Sequence, residues 1–354
     1  MIDKEFVGNY SFVHDDNEKK RCPSCSSLDT KKQGYIYSKI RSSRGLISRK
    51  TQRYFCKSCS LNFTASGFNI RKKISDELKR KAVNDYVLTK NSLQEVAERY
   101  NVSRSSILNW LSSVSNEYPQ LKSIKLKSKL SGLIQIDGKE LKIKGERRSL
   151  LVAIDARTKH PIHYGLYKGE TKESSSHFLI QVKKNYGTKI KGIISDFGRG
   201  KCFIPIVQEI LPDVPHQICL VHYMRYVWLF LPRTRRSEFF WRNAVLKVLI
   251  KRIITSDCRE ESLMWLQKLK ELIPFFRATY HKRFIRSIIV NYESLTRYYD
   301  YGFLQTNTNA IENLNRQFER KLKNMDGFKS EENVKDFLRI WFANYRIKLK
   351  NRRS

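Results

Sequence analysis

Acidic residues are scarce in this 354-residue chain: 34 Asp and Glu stand against 69 Lys and Arg, a formal net charge of +35. Such an imbalance favours a polyanionic partner, because every phosphate neutralised releases counterions. Long apolar runs are missing too. No window approaches the ~18 uncharged apolar residues of a membrane span. The opening Met1-Ile-Asp-Lys-Glu lacks the charged-then-apolar layout of a signal peptide. The expected location is therefore a reducing one, the cytoplasm, with no membrane partner. Seven cysteines there are expected as ligands or buried thiols rather than disulfides. Internal repeats and low-complexity tracts are absent, and the length suggests two or three domains.

The charge is not a tail. Residues 1–130 carry 26 basic and 12 acidic residues, leaving +14 there and +21 over the remainder. Together with 12% aromatic residues, that spread predicts a long nucleic-acid track rather than a single patch or a basicity serving solubility alone.

Cys22-Pro-Ser-Cys25 and Cys56-Lys-Ser-Cys59 are two Cys-x-x-Cys knuckles separated by 30 residues. Each turn presents two thiolates, and four thiolates complete a tetrahedral zinc site with no open position. We expect one structural Zn²⁺ on Cys22, Cys25, Cys56 and Cys59, in a ribbon over residues 1–68. The strand-like stretches are Gly34-Tyr-Ile-Tyr-Ser and Gln52-Arg-Tyr-Phe-Cys56, with a basic loop, Arg41 to Lys50, between them.

Helical periodicity predicts a helix-turn-helix unit over residues 69–116. Ser75 can cap a first helix burying Leu78, Ala82, Val83 and Tyr86. Ser92-Leu-Gln-Glu95 is a capping-box pattern opening a second, with Val96, Ala97 and Tyr100 inward. Asn101 takes the turn, and Ser103 caps a third with Ile107, Trp110 and Leu111 inward. That layout can place the third helix in a DNA major groove, with Arg104, Ser105, Ser106 and Asn109 outward. The alternative is a plain three-helix packing unit. Residues 117–130 are polar and basic, contain Pro119, and read as a linker.

From residue 131 the pattern changes to short apolar runs. Leu133–Ile136 leads to Asp137, Ser149 to Asp155 forms a second strand, and Pro161 to Tyr167 a third. Ser174 to Tyr186 is an amphipathic helix. Ile190 to Ser195 is an apolar fourth strand ending at Asp196, Lys201 to Leu211 a helix, and Pro215 to Val221 a fifth strand. This order is that of an RNase H-like α/β sheet, in which the first and fourth strands adjoin and Asp137 meets Asp196. Asp155 leaves at the opposite edge. An all-helical insertion is expected at about 225–300. Phe239, Trp241, Trp265 and Phe275 supply its apolar faces, and Arg233, Arg235, Arg236 and Arg242 supply charge. These aromatics read mainly as core, although an exposed Trp228 or Trp241 could stack on an unpaired base.

The order Asp137, Asp196, Cys219-x-x-His222, then Asn309-Ala-Ile-Glu312-Asn-Leu-Asn-Arg316 resembles the insertion-sequence transposases of the Mutator-like group. The leading zinc ribbon and helix-turn-helix, and the helical stretch before the glutamate, resemble that group as well. The resemblance spans nearly the whole chain and implies a DDE enzyme. Asp137, Asp196 and Glu312 match the group's catalytic acidic triad, and Cys219 and His222 match its Cys-x-x-His signature. The body would be an RNase H-like catalytic domain over residues 131–354. Two Mg²⁺ (or Mn²⁺) ions on the three carboxylates would support phosphodiester cleavage and strand transfer. The implied partners are double-stranded DNA, at element ends and target, and further copies of the chain, since joining two ends takes two active sites. A DNA-binding regulator with a non-catalytic body, or a plain nuclease of the same fold, are the alternatives.

Overall fold

The computed structural model describes residues 20–42, 45–64, 74–124, 129–186, 190–197, 203–231, 239–325 and 327–351. Arg44, the ends of the ribbon segment (1–19 and 65–68), Lys201, Arg233, Arg235 and Arg236 lie outside the described residues. The chain divides into two compact units, Met1–Val114 and Ser115–Ser354. It is a mixed α/β protein with two sheets.

In the first unit β1 (Thr30–Ser42) pairs antiparallel with β2 (Gly45–Cys56), and β3 (Asn62–Thr64) adds to β2 at Arg53 to Phe55. The stretch expected as a basic loop, Arg41 to Lys50, is instead mostly strand: Arg41 pairs with Leu46 and Tyr37 with Lys50. Alternating Tyr, Ile and Ser suit a pleated ladder, and the charge hid that alternation.

Three helices follow, α1 (Asp76–Leu88), α2 (Leu93–Tyr100) and α3 (Arg104–Glu117). Their starts are chemically local. Ser75 accepts from Leu78 N, Ser92 and Glu95 form a reciprocal capping box, and Ser103 Oγ accepts from Ser106 N at 3.1 Å. Asn101 takes a left-handed conformation (φ 48°) between α2 and α3, which short polar side chains tolerate. Val83, Val96 and Ile107 are fully buried, whereas Trp110 and Tyr100 are half-buried.

The second unit is built on a five-stranded sheet of order β6-β5-β4-β7-β8. β4 (Leu133–Ile143), β5 (Glu146–Asp155) and β6 (Pro161–Tyr167) are antiparallel neighbours. β7 (Gly192–Ser195) and β8 (His216–Ile218) run parallel to β4. Two sequence expectations need correction. First, β4 does not stop at Asp137. It continues to Ile143 and turns back at Lys144-Gly145, both with positive φ (51° and 84°), as a tight hairpin requires. Second, the fifth strand ends at Ile218, and α6 (Leu220–Phe230) begins at once. An apolar run of this length does not distinguish strand from helix.

α4 (Lys172–Tyr186) and α5 (Phe203–Ile210) cover one face of the sheet, where Phe178, Val182 and Ile206 pack on Ile134, Ile136 and Leu151. α10 (Asn309–Leu322) and α11 (Glu331–Asn351) meet strands β4, β5 and β6. Between β8 and α10 the described helices are α6, α7 (Phe240–Ile254), α8 (Arg259–Glu271) and α9 (Thr279–Asp300). They enclose their own apolar cluster, with Leu246, Leu269, Phe284 and Ile288 buried. Trp228 (43%) and Trp241 (76%) remain exposed. No helix among the described residues is long and apolar enough to cross a membrane.

Candidate active site

Parallel pairing brings the two aspartates together. Ile136 is in register with Ser195, so Asp137 and Asp196 follow neighbouring positions on adjacent strands. Cys219, whose N–H donates to Ser195 O at 2.9 Å, is the N-cap residue of α6. His222 therefore falls in the first turn of that helix. Leu220 N donates to Thr306 O, which draws in the segment leading to α10.

Glu312 sits in the first turn of α10, whose N-cap residue is Thr308. The Thr308 side chain does not cap its own helix. Its buried hydroxyl lies 3.3 Å from Cys219 Sγ, 3.3 Å from His222 Nδ1 and 3.2 Å from Glu312 Oε1. The His222 ring lies between two acids, Nδ1 3.5 Å from Asp196 Oδ1 and Nε2 3.7 Å from Glu312 Oε1. One turn after Glu312, Asn315 donates to Asp137 Oδ2 at 2.6 Å, while Asp137 Oδ1 accepts from Gly138 N. The three carboxylates are thus linked through His222 and Asn315.

The electrostatics record crowded negative charge. Burial, then the neighbouring Asp196, push the Asp137 carboxyl up to about 7. Burial also raises Asp196. Burial opposes a charge on His222, but Cys219 and Asp196 outweigh it and raise the imidazole to about 9. Burial likewise opposes the Cys219 thiolate, and hydrogen bonds from His222 and Thr308 lower its pKa nonetheless. At neutral pH this gives an imidazolium facing Asp196 and Glu312.

Sequence reasoning missed two groups at this edge. A Cβ on Gly138 would lie 2.9 Å from Glu170 Oε2, so the glycine after Asp137 leaves room for the Glu170 carboxylate beside the strand. Burial and Asp196 raise Glu170. The glycine directly after Asp137 was the available signal for a close approach. Gln135, fully buried on β4, accepts from Ile311 N at 3.0 Å and donates to Asn307 O and Gln305 Oε1. No local pattern marks it. Asp155 sits away from the other acids, at the Ile134 end of β4, and accepts from Ser131, Thr158 and Tyr186.

Among the described residues, two groups of three or more candidate ligands hold their atoms within 4.8 Å of one another. They are Cys22–Cys25–Cys56–Cys59 and Cys219–His222–Glu312. The first is compatible with one structural zinc. The Cys22 and Cys59 sulfurs are 3.5 Å apart and those of Cys25 and Cys56 3.6 Å, close to the edge of a tetrahedron with ~2.3 Å Zn–S bonds. The three acids, Asp137, Asp196 and Glu312, do not form such a group.

Of the side chains expected to face outward on α3, Arg104, Ser105 and Asn109 are exposed. Ser106 is half-buried and turns its hydroxyl to Ser103 Oγ at 2.8 Å. In the second unit a cavity of about 390 Å³ is lined by Lys282, Arg283, Arg286 and Tyr226, among others.

These features are those of a transposase, and comparison with known proteins places the chain in a family. The model of the family described as "Transposase, Mutator family" matches residues 58–350. The chain belongs to the Mutator family of transposases. No curated protein matches the sequence. Among solved structures it is similar to a chain in the cryoEM structure of the simian T-cell lymphotropic virus intasome in complex with PP2A regulatory subunit B56 gamma. That match has 15% identity and a TM-score of 0.22, over 50% of this chain and 62% of that one. This chain therefore spans less than two thirds of the length of that one.

Proposed function

We propose that the protein is an active DDE transposase. It would bind element-end DNA, cleave it hydrolytically and join the freed 3′-hydroxyl to target DNA. Membership of the Mutator family supports the class. The observation that carries the chemistry is the juxtaposition of Asp137 and Asp196 on parallel neighbours, with Glu312 reached through the same His222 imidazole. The strand order, three antiparallel strands and then parallel ones with helices between, supports the RNase H-like reading of the body.

The donor set fits divalent ions. Burial, with Asp196 beside Asp137 and Glu312 beside Asp196, raises both aspartates, a cost that a cation would relieve, and oxygen ligands suit Mg²⁺ or Mn²⁺. A pair of such ions, when bound, polarises the scissile phosphate and stabilises the attacking and leaving oxygens. The residues do the rest. Asp137 and Asp196 would hold the shared ligand edge, and Glu312 would complete the second position. Asn315 keeps one Asp137 oxygen turned toward α10, and the His222 imidazolium orients Asp196 and Glu312. Cys219 and His222 take this orienting role rather than that of a separate metal centre.

The first unit would select DNA. We assign a zinc ribbon to residues 1–68, a helix-turn-helix unit to 69–116, a linker to 117–130, and the catalytic body with its helical insertion at about 225–300 to 131–354. Exposed Arg104, Ser105 and Asn109 support α3 as the reader of base edges, with Ser106 at its start. Joining two ends calls for two copies, so the working form is a homodimer or larger assembly on DNA.

The test is Mg²⁺-dependent cleavage and joining of duplexes bearing the element ends, with Asp137→Asn, Asp196→Asn and Glu312→Gln alongside. Each variant should lose cleavage and keep duplex affinity close to wild type, because affinity comes from the basic surface. Near-normal cleavage by one variant removes that residue from the triad. A wild-type chain that binds ends without cutting is the regulator, and one that cuts without joining is the nuclease.

A further inference from the structure

The β1–β2 ribbon is longer than its zinc knuckles require. The knuckles need only the paired ends near Thr30 and Cys56, and β3 pairs with β2 only at Arg53 to Phe55. Among the described residues, the ribbon from the Tyr35–Gln52 pair to the Ser42–Gly45 pair has two strands, joined only by a bridge of Ile74 to Arg41. A hairpin of this kind is marginal in water on its own, so its length asks for a purpose.

Its composition is one-sided. Thr30 to Cys56 contains eight Lys or Arg and no Asp or Glu. Cross-strand partners share a face, so Tyr35, Tyr37, Lys39, Ser48 and Lys50 lie on the same side as Leu46. That side faces solvent: Tyr37 is 70% and Leu46 72% exposed. On the other side Ile36, Ser38 and Ile40 are half-buried. Lys50 Nζ sits 3.9 Å above the Tyr35 ring, a cation–π contact that holds the charge on the exposed side.

The same side runs toward the helices of its own unit. Arg41 pairs with Leu46, and its guanidinium donates to Asn101 O at 2.9 Å, in the turn before α3. Backbone continues the link, with Ser75 N donating to Arg41 O. The ribbon is thereby tied to the turn that leads into α3.

We propose that this side of the ribbon is a second DNA-binding surface, seated in the major groove of the duplex next to the bases that α3 reads. The inference rests on the reading of the first unit as a binder of element ends. The occupant follows from chemistry. A surface of cations and tyrosines without one carboxylate suits phosphates and base edges. A groove about 12 Å wide admits a two-stranded ribbon as readily as a helix. Lys39 and Lys50 would take phosphates, and Tyr37 would reach the groove floor. The element end would then be longer than one helix can read.

The experiment uses the full-length protein and a duplex carrying the element end. The variant combines Tyr37→Ser, Lys39→Ser and Lys50→Ser, and zinc content checks that the knuckles still hold. Losing two phosphate contacts should flatten the plot of log affinity against log salt by about two units of slope. Affinity at about 50 mM salt should fall by one to two orders of magnitude. Protection of guanine N7 from methylation should disappear from one segment of the footprint and persist in the adjoining one. Unchanged slope and unchanged protection with zinc retained overturn the proposal. If the triple variant loses zinc, Lys39→Ala alone decides, with a slope change of about one expected and no change overturning it. A wild-type chain that does not select the end duplex at all would bring down the functional reading instead, since no footprint would exist to divide.

Discussion

Gln135 caps the helix of Glu312 from the neighbouring strand. Its Oε1 accepts the N–H of Ile311, the residue before Glu312, and its amide donates to Asn307 O. A helix leaves its first N–H groups without partners, and the N-cap side chain normally takes one. Here Thr308 turns its hydroxyl to Cys219, His222 and Glu312 instead, so Gln135 takes over the cap. Gln217 on β8 has the same grammar, accepting from Tyr298 N and donating to Leu295 O, but it holds α9. Gln135→Met and Gln217→Met should each lower stability by roughly 1–3 kcal/mol, the cost of orphaned buried partners. Only Gln135→Met should raise the Mg²⁺ concentration needed for half-maximal cleavage. Titrating the metal at fixed DNA compares the two, and an equal shift in both would reduce Gln135 to packing.

Asp155 should behave unlike the other strand aspartates. Burial penalises its charge, but hydrogen bonds from Thr158 and Ser131 outweigh that and lower its pKa. A carboxyl lowered on folding contributes stability above its unfolded pKa of ~3.9 and loses it as pH falls through the folded value. Asp155→Asn should therefore lower the melting temperature at neutral pH and narrow that difference in acid, while cleavage per folded molecule stays near wild type. Loss of cleavage by a fully folded Asp155→Asn protein would move it into the active site.

Asp137 should make the metal requirement depend on pH. Its carboxyl is raised to about 7 by burial and by Asp196. The stability tied to its neutral form is present below the unfolded value of ~3.9 and is lost as pH rises through about 7. Metal-free protein should thus lose stability across that window. Mg²⁺, which needs the ionised ligand, should restore more of it at about pH 8 than at about pH 6. Melting curves with and without Mg²⁺ check this, and Asp137→Asn should remove the difference. A metal increment independent of pH in the wild type would separate Asp137 from the metal.

What was legible in the sequence was local chemistry and the order of elements. Ser75, Ser92 with Glu95, and Ser103 announce their helices because a cap is decided within four residues. The pairing of the Asp137 and Asp196 strands followed from element order. Long-range chemistry left no mark. Nothing near Gln135 indicates that its amide meets Ile311, and nothing near Thr308 indicates that its hydroxyl abandons its own helix. The continuation of β4 past Asp137 was obscured by Lys139, Glu140 and Lys142, although Leu141 and Ile143 keep the alternation. The start of α6 at Leu220 was hidden in an apolar run compatible with either period.

The cysteine group should carry about one zinc per chain. Cys25→Ser or Cys56→Ser should release it and disorder the knuckles, because Cys22 and Cys56 are buried and pack with Tyr54 and Phe63. The melting transition of the second unit should stay in place. Metal analysis of freshly purified protein checks the first point, and absence of zinc there would leave four thiols without a reason for their convergence.

Arg104 and Asn109 should separate sequence choice from affinity. Both are exposed on α3, five positions apart on a helix that buries Ile107 and Leu111. Five positions are about 140° around a helix, so the two side chains point to different parts of its surface and are tested one at a time. Arg pairs with guanine and Asn with adenine, each contact worth about 1–3 kcal/mol of discrimination. Arg104→Ala should lose both a charge and a base contact, weakening end binding and relaxing its salt dependence slightly. Asn109→Ala carries no charge change, so its affinity for unrelated duplex should hold while preference for the element end falls. Competition binding between end and scrambled duplexes measures the ratio directly. An Asn109→Ala protein that keeps its full preference would take base reading away from the Asn109 side of α3 and leave it to other surfaces of the chain.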